Sequence, residues 1–461
     1  MKYGHLLFSL LVLLFLSCSE NSSTEPEFNN PKNLNITDMR ASVNSMELIL
    51  KNTVVGNLEG QFPESERIVL ENQLETSHTY LINGLPNADQ HEVDSLTYVW
   101  YSLCTDYEAS VVSEYNDLID PKATRETRYL FVNLKKYAPD QLLFGMHDAT
   151  GYGVGWSGND SRSDVKDVCG SYPAVFSWDT NSIVDYPDLA RVEYRMLLAY
   201  DNGINTLCWH QYDPEGHHFY YDQVNYPVVT AILPGGMYHG IYVQKLQKFA
   251  RFLKKLRGKK GESVPVIFRP YHEQNGNWFW WGRTRCTEQE YIDLWRFTVT
   301  CLRDSLRVHN LIYAFSPDGN QFSTKEEYLR EYPGDAYVDI FGLDFYFWEG
   351  GTDSYLRFQQ RLSYTVQNAQ AHGKLAALTE VGDELVDIPQ WYTKYLLAGV
   401  KNNSFAKNIA YAAVWRNAHE GHHYAPYPGH PAVPDFISFY EDPFTVFAND
   451  LVNVYVLDNG L

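Results

Sequence analysis

Basic residues are under-represented in this chain: 37 Lys and Arg stand against 57 Asp and Glu, for a formal net charge of −20. Such a surface repels phosphate backbones, which argues against a nucleic-acid partner. The one basic run, FARFLKKLRGKKGE at 249–262, reads as the solvated end of a helix. Leu246, Phe249, Leu253 and Leu256 recur at helical spacing there, and Gly258 suits a cap. Cysteine is also sparse, at six in 461 residues. No CxxC and no Cys/His pair has metal-site spacing, so neither a structural zinc nor any other cofactor is expected. Beyond Cys18, five cysteines remain (Cys104, Cys169, Cys208, Cys286 and Cys301), an odd number that leaves at least one unpaired in a monomer, the expected state.

Long apolar runs are missing too, with one exception at the start. Residues 1–17 read MKYGHLLFSLLVLLFLS, a Lys followed by an almost unbroken apolar stretch from Leu6 to Leu16. That stretch is too short for a stable membrane span and has the dimensions of a signal peptide. It ends at Leu16-Ser17-Cys18, which resembles a bacterial lipobox, with Cys18 as the lipidated residue. Residues 18–33 are polar and Pro-containing and read as a flexible tether. Ser19-Glu20 resembles the acidic export signal of Gram-negative surface lipoproteins. The expectation is an exported lipoprotein held at the outer membrane by its N-terminal anchor.

What the chain has in quantity is aromatic side chains: 11 Trp, 35 Tyr and 24 Phe. With 44% hydrophobic and 20% charged residues, the composition is globular. The rings suit either a large core or a carbohydrate cleft, where apolar sugar faces stack on them.

Two regions differ in pattern. Residues 34–120 carry helical periodicity interrupted at Gly56, Gly60-Gln61-Phe62-Pro63 and Asn83-Gly84, which predicts a small helical module. The stretch VVGNLEGQFPESERIVLENQLETSHTYL in it is similar to FIVAR-type modules, which implies a spacer. From residue 124 to 461, apolar runs alternate with helical stretches. The runs are 142–148, 174–179, 204–210, 265–273, 311–318, 338–346, 374–382 and 409–417. Each is continuously apolar and then ends in polar or aromatic residues, as a strand buried on both faces does. Eight such units predict a (β/α)8 TIM barrel, whose active site lies at the C-terminal strand ends.

The polar tails are therefore the candidates: His147 and Asp148, Asp179, Trp209 and His210, Arg269 with His272 and Glu273, Asp318, Asp344 and Tyr346, Glu380, Trp415 and Arg416. Two glutamates, Glu273 and Glu380, end the fourth and seventh runs, which face each other across a barrel mouth. Glycosidic hydrolysis needs two carboxyl groups, one to protonate the leaving oxygen and one to attack or stabilise the anomeric carbon. Around Glu273 the chain reads VIFRPYHEQNGNWFWWG, which gathers Arg, His, Glu, Gln, Asn and three Trp at one strand end. Burial and the charge of Glu380 would keep Glu273 protonated, while donors such as Arg269 and Tyr346 would favour ionised Glu380. His422, His423 and His430, and His217 with His218, read as loop residues rather than metal ligands. Asp318 and Asp344 read as loop orienters.

RPYHEQNGNWFWWG, with LDFY at 343–346, LTEVG at 378–382 and VWRNA at 414–418, resembles glycoside hydrolase family 26, the clan-A barrels that are mainly endo-β-mannanases. The resemblance covers 124–440. It implies Glu273 as acid/base and Glu380 as nucleophile. It further implies that His272 orients the acid/base or contacts the sugar, and that Trp278 forms part of its platform. Tyr346 would bond the nucleophile, Trp415 line the cleft floor, and Arg416 hold a sugar one unit toward the non-reducing end. His147 and Trp209 match family contacts on strands one and three, although FGMHDA departs from the usual FGHQ by one residue. The implied substrate is a β-mannan. Mixed-linkage glucan or β-xylan, exo release of mannobiose, and a non-catalytic surface glycan-binding lipoprotein are the alternatives.

Overall fold

The structure is a computed structural model that describes residues 34–85 and 88–457. The signal, lipidation and tether expectations for 1–33 lie outside those residues.

Eight parallel strands form the barrel: β1 Leu142–His147, β2 Val175–Asp179, β3 Ile204–Cys208, β4 Val266–Arg269, β5 Leu311–Phe315, β6 Ile340–Phe347, β7 Leu375–Asp383 and β8 Ile409–Val414. They pair in chain order, and β8 closes on β1 with Leu143 opposite Tyr411 and Met146 opposite Val414. All eight coincide with the apolar runs of the sequence.

Each strand divides its side chains between two cores. Leu142, Phe144 and Met146 of β1, Phe268 of β4 and Leu343 of β6 pack outward under the helices. Leu143, Ile267, Ile312, Ile340 and Ala377 face the barrel axis, where they meet Leu130 and Leu134. Those two leucines belong to Arg125–Tyr137, a helix that plugs the floor. Between strands, local signals start the helices. Thr287 opens the helix Glu288–Thr300 with a full capping box to Glu290, which satisfies two amide donors at once.

The N-terminal module has three helices, α1 Thr37–Asn52, α2 Glu64–Asn83 and α3 Gln90–Ala109. Met39, Met46, Ile49, Leu70, Trp100 and Cys104 form its core. Asp89 caps α3 by accepting from the Glu92 amide at 2.8 Å.

This module is fastened to the barrel. Glu108 of α3 accepts from Arg257 at 2.6 Å and from the amide and hydroxyl of Ser263 at 2.6 and 2.7 Å. Lys254 donates to Ser102 at 2.7 Å, and Arg307 pairs with Asp106. The basic run at 249–262 is thus only in part a solvated helix end: Lys259 is 82% exposed, but the middle of the run is enclosed. Lys254 and Arg257 are buried, because α3 supplies the carboxylate and hydroxyl partners that make their burial tolerable. The segments involved lie just before β4 and β5, at the barrel end opposite the mouth. The five cysteines among the described residues are all free.

Candidate active site

At the mouth, β6 and β7 depart from regular pairing. Leu343 faces Leu378, but Asp344 faces Glu380, so β7 carries one extra residue. Leu378 and Val381 both pack outward, and the bulge lets Thr379 and Glu380 both turn toward the axis. Thr379 donates to Asp344 at 2.7 Å. Glu380 receives Tyr346 on one oxygen at 2.6 Å and Arg269 on the other. Arg269, fully enclosed, also donates to Asp344 at 2.7 Å and to Ser316 at 3.0 Å. One guanidinium therefore ties β4 to both carboxylates of the β6–β7 pair, the fork geometry that suits arginine.

Glu273 follows β4 on a strained turn. Tyr271 and Glu273 have φ of 49° and 53°, left-handed values that non-glycine residues seldom adopt. The turn is held by the Glu273 amide donating to the Ser316 carbonyl at 2.8 Å. Trp278 donates its indole N–H to Glu273 at 2.7 Å. Burial raises the Glu273 carboxyl well above the usual range, and the charges of Asp318, Glu380 and Asp344 raise it further. A carboxyl so placed keeps its proton near neutrality. Oxygens of Glu273, Asp344 and Glu380 lie within 4.8 Å of one another.

His272 is buried with Nδ1 unpartnered. Burial, with the positive field of Arg269, lowers its pKa well below the usual range, so the ring is neutral. His147 accepts from or donates to Ser177 at 2.9 Å and stacks on Trp415, centroids 4.0 Å apart and 19° between planes. Arg416 donates to Tyr152 at 3.3 Å, whose hydroxyl in turn donates to Asp148. His147, Arg269, His272, Trp278, Tyr346, Trp415 and Arg416 thus gather around Glu273 and Glu380.

Trp209 does not join them. It is fully buried in the outer layer, donates to Asp185 at 3.0 Å and packs near Phe249 and Phe268. Cys208 and His210 flank it in the opposite phase, so His210 is the side chain β3 offers to the cleft. Its Nδ1 lies 2.7 Å from Asp179, and its ring meets His272 edge-on at 4.6 Å.

One further rim residue, Tyr220, carries no signal in the sequence beyond its aromatic type. Tyr220, on the loop after β3, bridges to Phe279 and stacks on it at 5.8 Å. Its phenol is raised by partial burial and by the charge of Glu273, against the pull of Arg416. On the loop after β1, Gly151–Gly153 and Trp156–Asn159 form a hairpin. Asp164 joins it to the β8 loop by accepting from Trp156 at 2.6 Å and Asn417 at 2.9 Å.

The histidine loops are self-contained. His422 meets Glu384 at 2.7 Å, and His423 faces His430 at 3.2 Å. Two other ligand-capable groups occur among the described residues, His147–Asp179–Cys208 and Asp213–Glu215–His217. Both Asp213 oxygens are already taken by His217 and Tyr226.

Two carboxyl groups this close at a barrel mouth, one favouring its proton and one cradled by donors, define a site for cutting glycosidic bonds with retention. The inverting arrangement requires a gap of about 6.5–9.5 Å.

Comparison with known proteins agrees with that class. The model of glycosyl hydrolase family 26 matches residues 119–418. A mannan endo-1,4-β-mannosidase of Bifidobacterium adolescentis is 35% identical over 282 residues, covering 58% of this chain and 28% of that protein. This chain therefore spans little more than a quarter of that relative's length. Among solved structures, GH26C from a Muricauda species superposes with a TM-score of 0.70 at 36% identity, covering 74% of this chain and 96% of the other. A GH26 β-mannanase from Bacteroides ovatus gives 0.68 at 36%, covering 73% and 99%. The chain belongs to glycosyl hydrolase family 26.

Proposed function

We propose that this protein is a retaining endo-β-1,4-mannanase acting on mannan, galactomannan or glucomannan. The observation that carries the reading is the Glu273–Glu380 pair, with oxygens within 4.8 Å and opposite environments. Glu273 gives its proton to the glycosidic oxygen as a Glu380 oxygen attacks the anomeric carbon. The leaving chain departs with that proton, and a glycosyl ester forms on Glu380. Esterification removes the Glu380 charge, so Glu273, now a carboxylate, takes a proton from water. Water attacks the anomeric carbon, the ester bond breaks, and both carboxyl groups return to their starting states. Mannose as the sugar is supported by the names of the relatives.

The substrate contacts expected at His147, His272, Trp278, Tyr346, Trp415 and Arg416 belong to this reading, whereas Arg269, expected among them, is enclosed and committed to Glu380, Asp344 and Ser316 and so positions the nucleophile. His210 takes the place given in sequence to Trp209. The membrane link is also a proposal: the sequence of residues 1–33 supports an exported lipoprotein anchored through Cys18 at the outer membrane, which Cys18→Ala and membrane fractionation would test.

The full chain in mild detergent, incubated with mannan, glucomannan, xylan and mixed-linkage glucan, should give a ladder of manno-oligosaccharides that Glu380→Ala abolishes. Mannobiose alone from the start would indicate exo action. Turnover confined to xylan or glucan would overturn the substrate.

A further inference from the structure

Among the described residues, Trp348 is the only tryptophan with most of its surface in water, at 72% exposure. It stands directly after β6 and continues the inward-facing alternation of Gly342, Asp344 and Tyr346. Its ring lies 6.1 Å from that of Tyr346, tilted by 31°, and Tyr346 is the donor to Glu380.

The base beneath it is packed. Phe347 is buried among Phe358, Trp391 and Tyr395. Three residues on, the Gly351 amide donates to the Tyr395 hydroxyl at 2.7 Å. A large apolar ring left in water beside a packed support has unspent binding surface.

The ring order of the strands says which part of a substrate it meets. Glu273 on β4 and Glu380 on β7 divide the mouth. β8, β1, β2 and β3 lie on one side, with Arg416, His147, Asp179 and His210, while β5 and β6 lie on the other. A polysaccharide cut between the two glutamates passes over both halves. The family resemblance implies that Arg416 holds a sugar on the non-reducing half, and on that polarity β6 serves the half that leaves.

We propose that Trp348 is a stacking platform for the leaving-group half of the chain, taking the apolar face of a β-linked mannose unit beyond the scissile bond. This rests on the mannanase reading above. Trp348 touches no reacting atom. It acts on affinity for long substrates and on cleavage position.

The test compares the full chain with Trp348→Ala and Trp348→Phe on two substrates. Mannohexaose fills both halves of the cleft, and an aryl β-mannobioside fills only the non-reducing half. Loss of a stacked sugar should lower kcat/KM for mannohexaose about 5- to 20-fold in the alanine variant, mainly through KM. The phenylalanine variant should recover most of it, and the aryl glycoside should change by less than about 2-fold. Equal losses on both substrates, or none on mannohexaose, would overturn the platform. Wild-type enzyme inert to mannohexaose would instead sink the mannanase reading, and with it a platform for mannose.

Discussion

Tyr346→Phe removes one hydrogen bond from Glu380 and leaves its surroundings intact. The phenol donates to one Glu380 oxygen at 2.6 Å, while Arg269 holds the other. The ring itself is supported by Tyr424, 5.5 Å away at 70°, and phenylalanine keeps that contact. What disappears is a short donor to a carboxylate, worth about 1.5–3 kcal/mol. At a factor of ten per 1.36 kcal/mol, kcat/KM should fall about 10- to 150-fold. An aryl β-mannobioside is the right substrate, because its good leaving group makes attack by Glu380 visible without help from Glu273. Thermal melting should stay within a few degrees of wild type. A loss under about 3-fold would mean that Arg269 alone positions the carboxylate. A loss as deep as that of Glu380→Ala would mean that the tyrosine does more than donate. Either result refutes the division of labour drawn here.

Three other outcomes follow from the same contacts. Because burial and neighbouring carboxylates raise the Glu273 carboxyl, its acid form persists past the normal range and activity should fall as pH rises through that raised value. In Glu273→Gln this alkaline limb should vanish from the pH profile, with residual activity only on aryl substrates. Arg269→Met leaves Asp344 and Glu380 buried together without a cation, so denaturant melts should show about 3–5 kcal/mol lost. An unchanged midpoint would argue against that linkage. Lys254, lowered to about 7 by burial, binds its proton less readily folded than unfolded. It therefore weakens the fold most below pH 7, and the penalty shrinks as pH rises toward the ordinary lysine value. Lys254→Met should raise Tm at pH 6, with the gain fading by pH 10.

The eight strands were readable because a two-sided buried strand is a plain apolar run with a polar end. The same property hid their phase. With no alternation, nothing in INTLCWH says which of Trp209 and His210 faces the axis, and a slip of one residue exchanges the faces. Cys208 inward, Trp209 outward and His210 inward is a fact of pairing with β2 and β4. On β7 the difficulty is doubled. Regular alternation from inward Ala377 and Thr379 would aim Glu380 outward, and only the bulge brings it in. Its position at a strand end pointed to the right residue, although the geometry that makes it useful lay in the partner strand. The enclosure of Lys254 and Arg257 within the basic run is hidden for a related reason. Their partners, Ser102 and Glu108, sit about 150 residues earlier, and no local pattern announces a contact at that range.

The docking of α3 also sets a direction for the whole molecule. Asp38, in the first turn of α1, pairs with Lys255 at 2.9 Å, so the chain enters the described fold at the barrel floor. Residue 34 therefore joins the described fold on the side away from Glu273 and Glu380. The open mouth faces the other way, like a tool held by its handle.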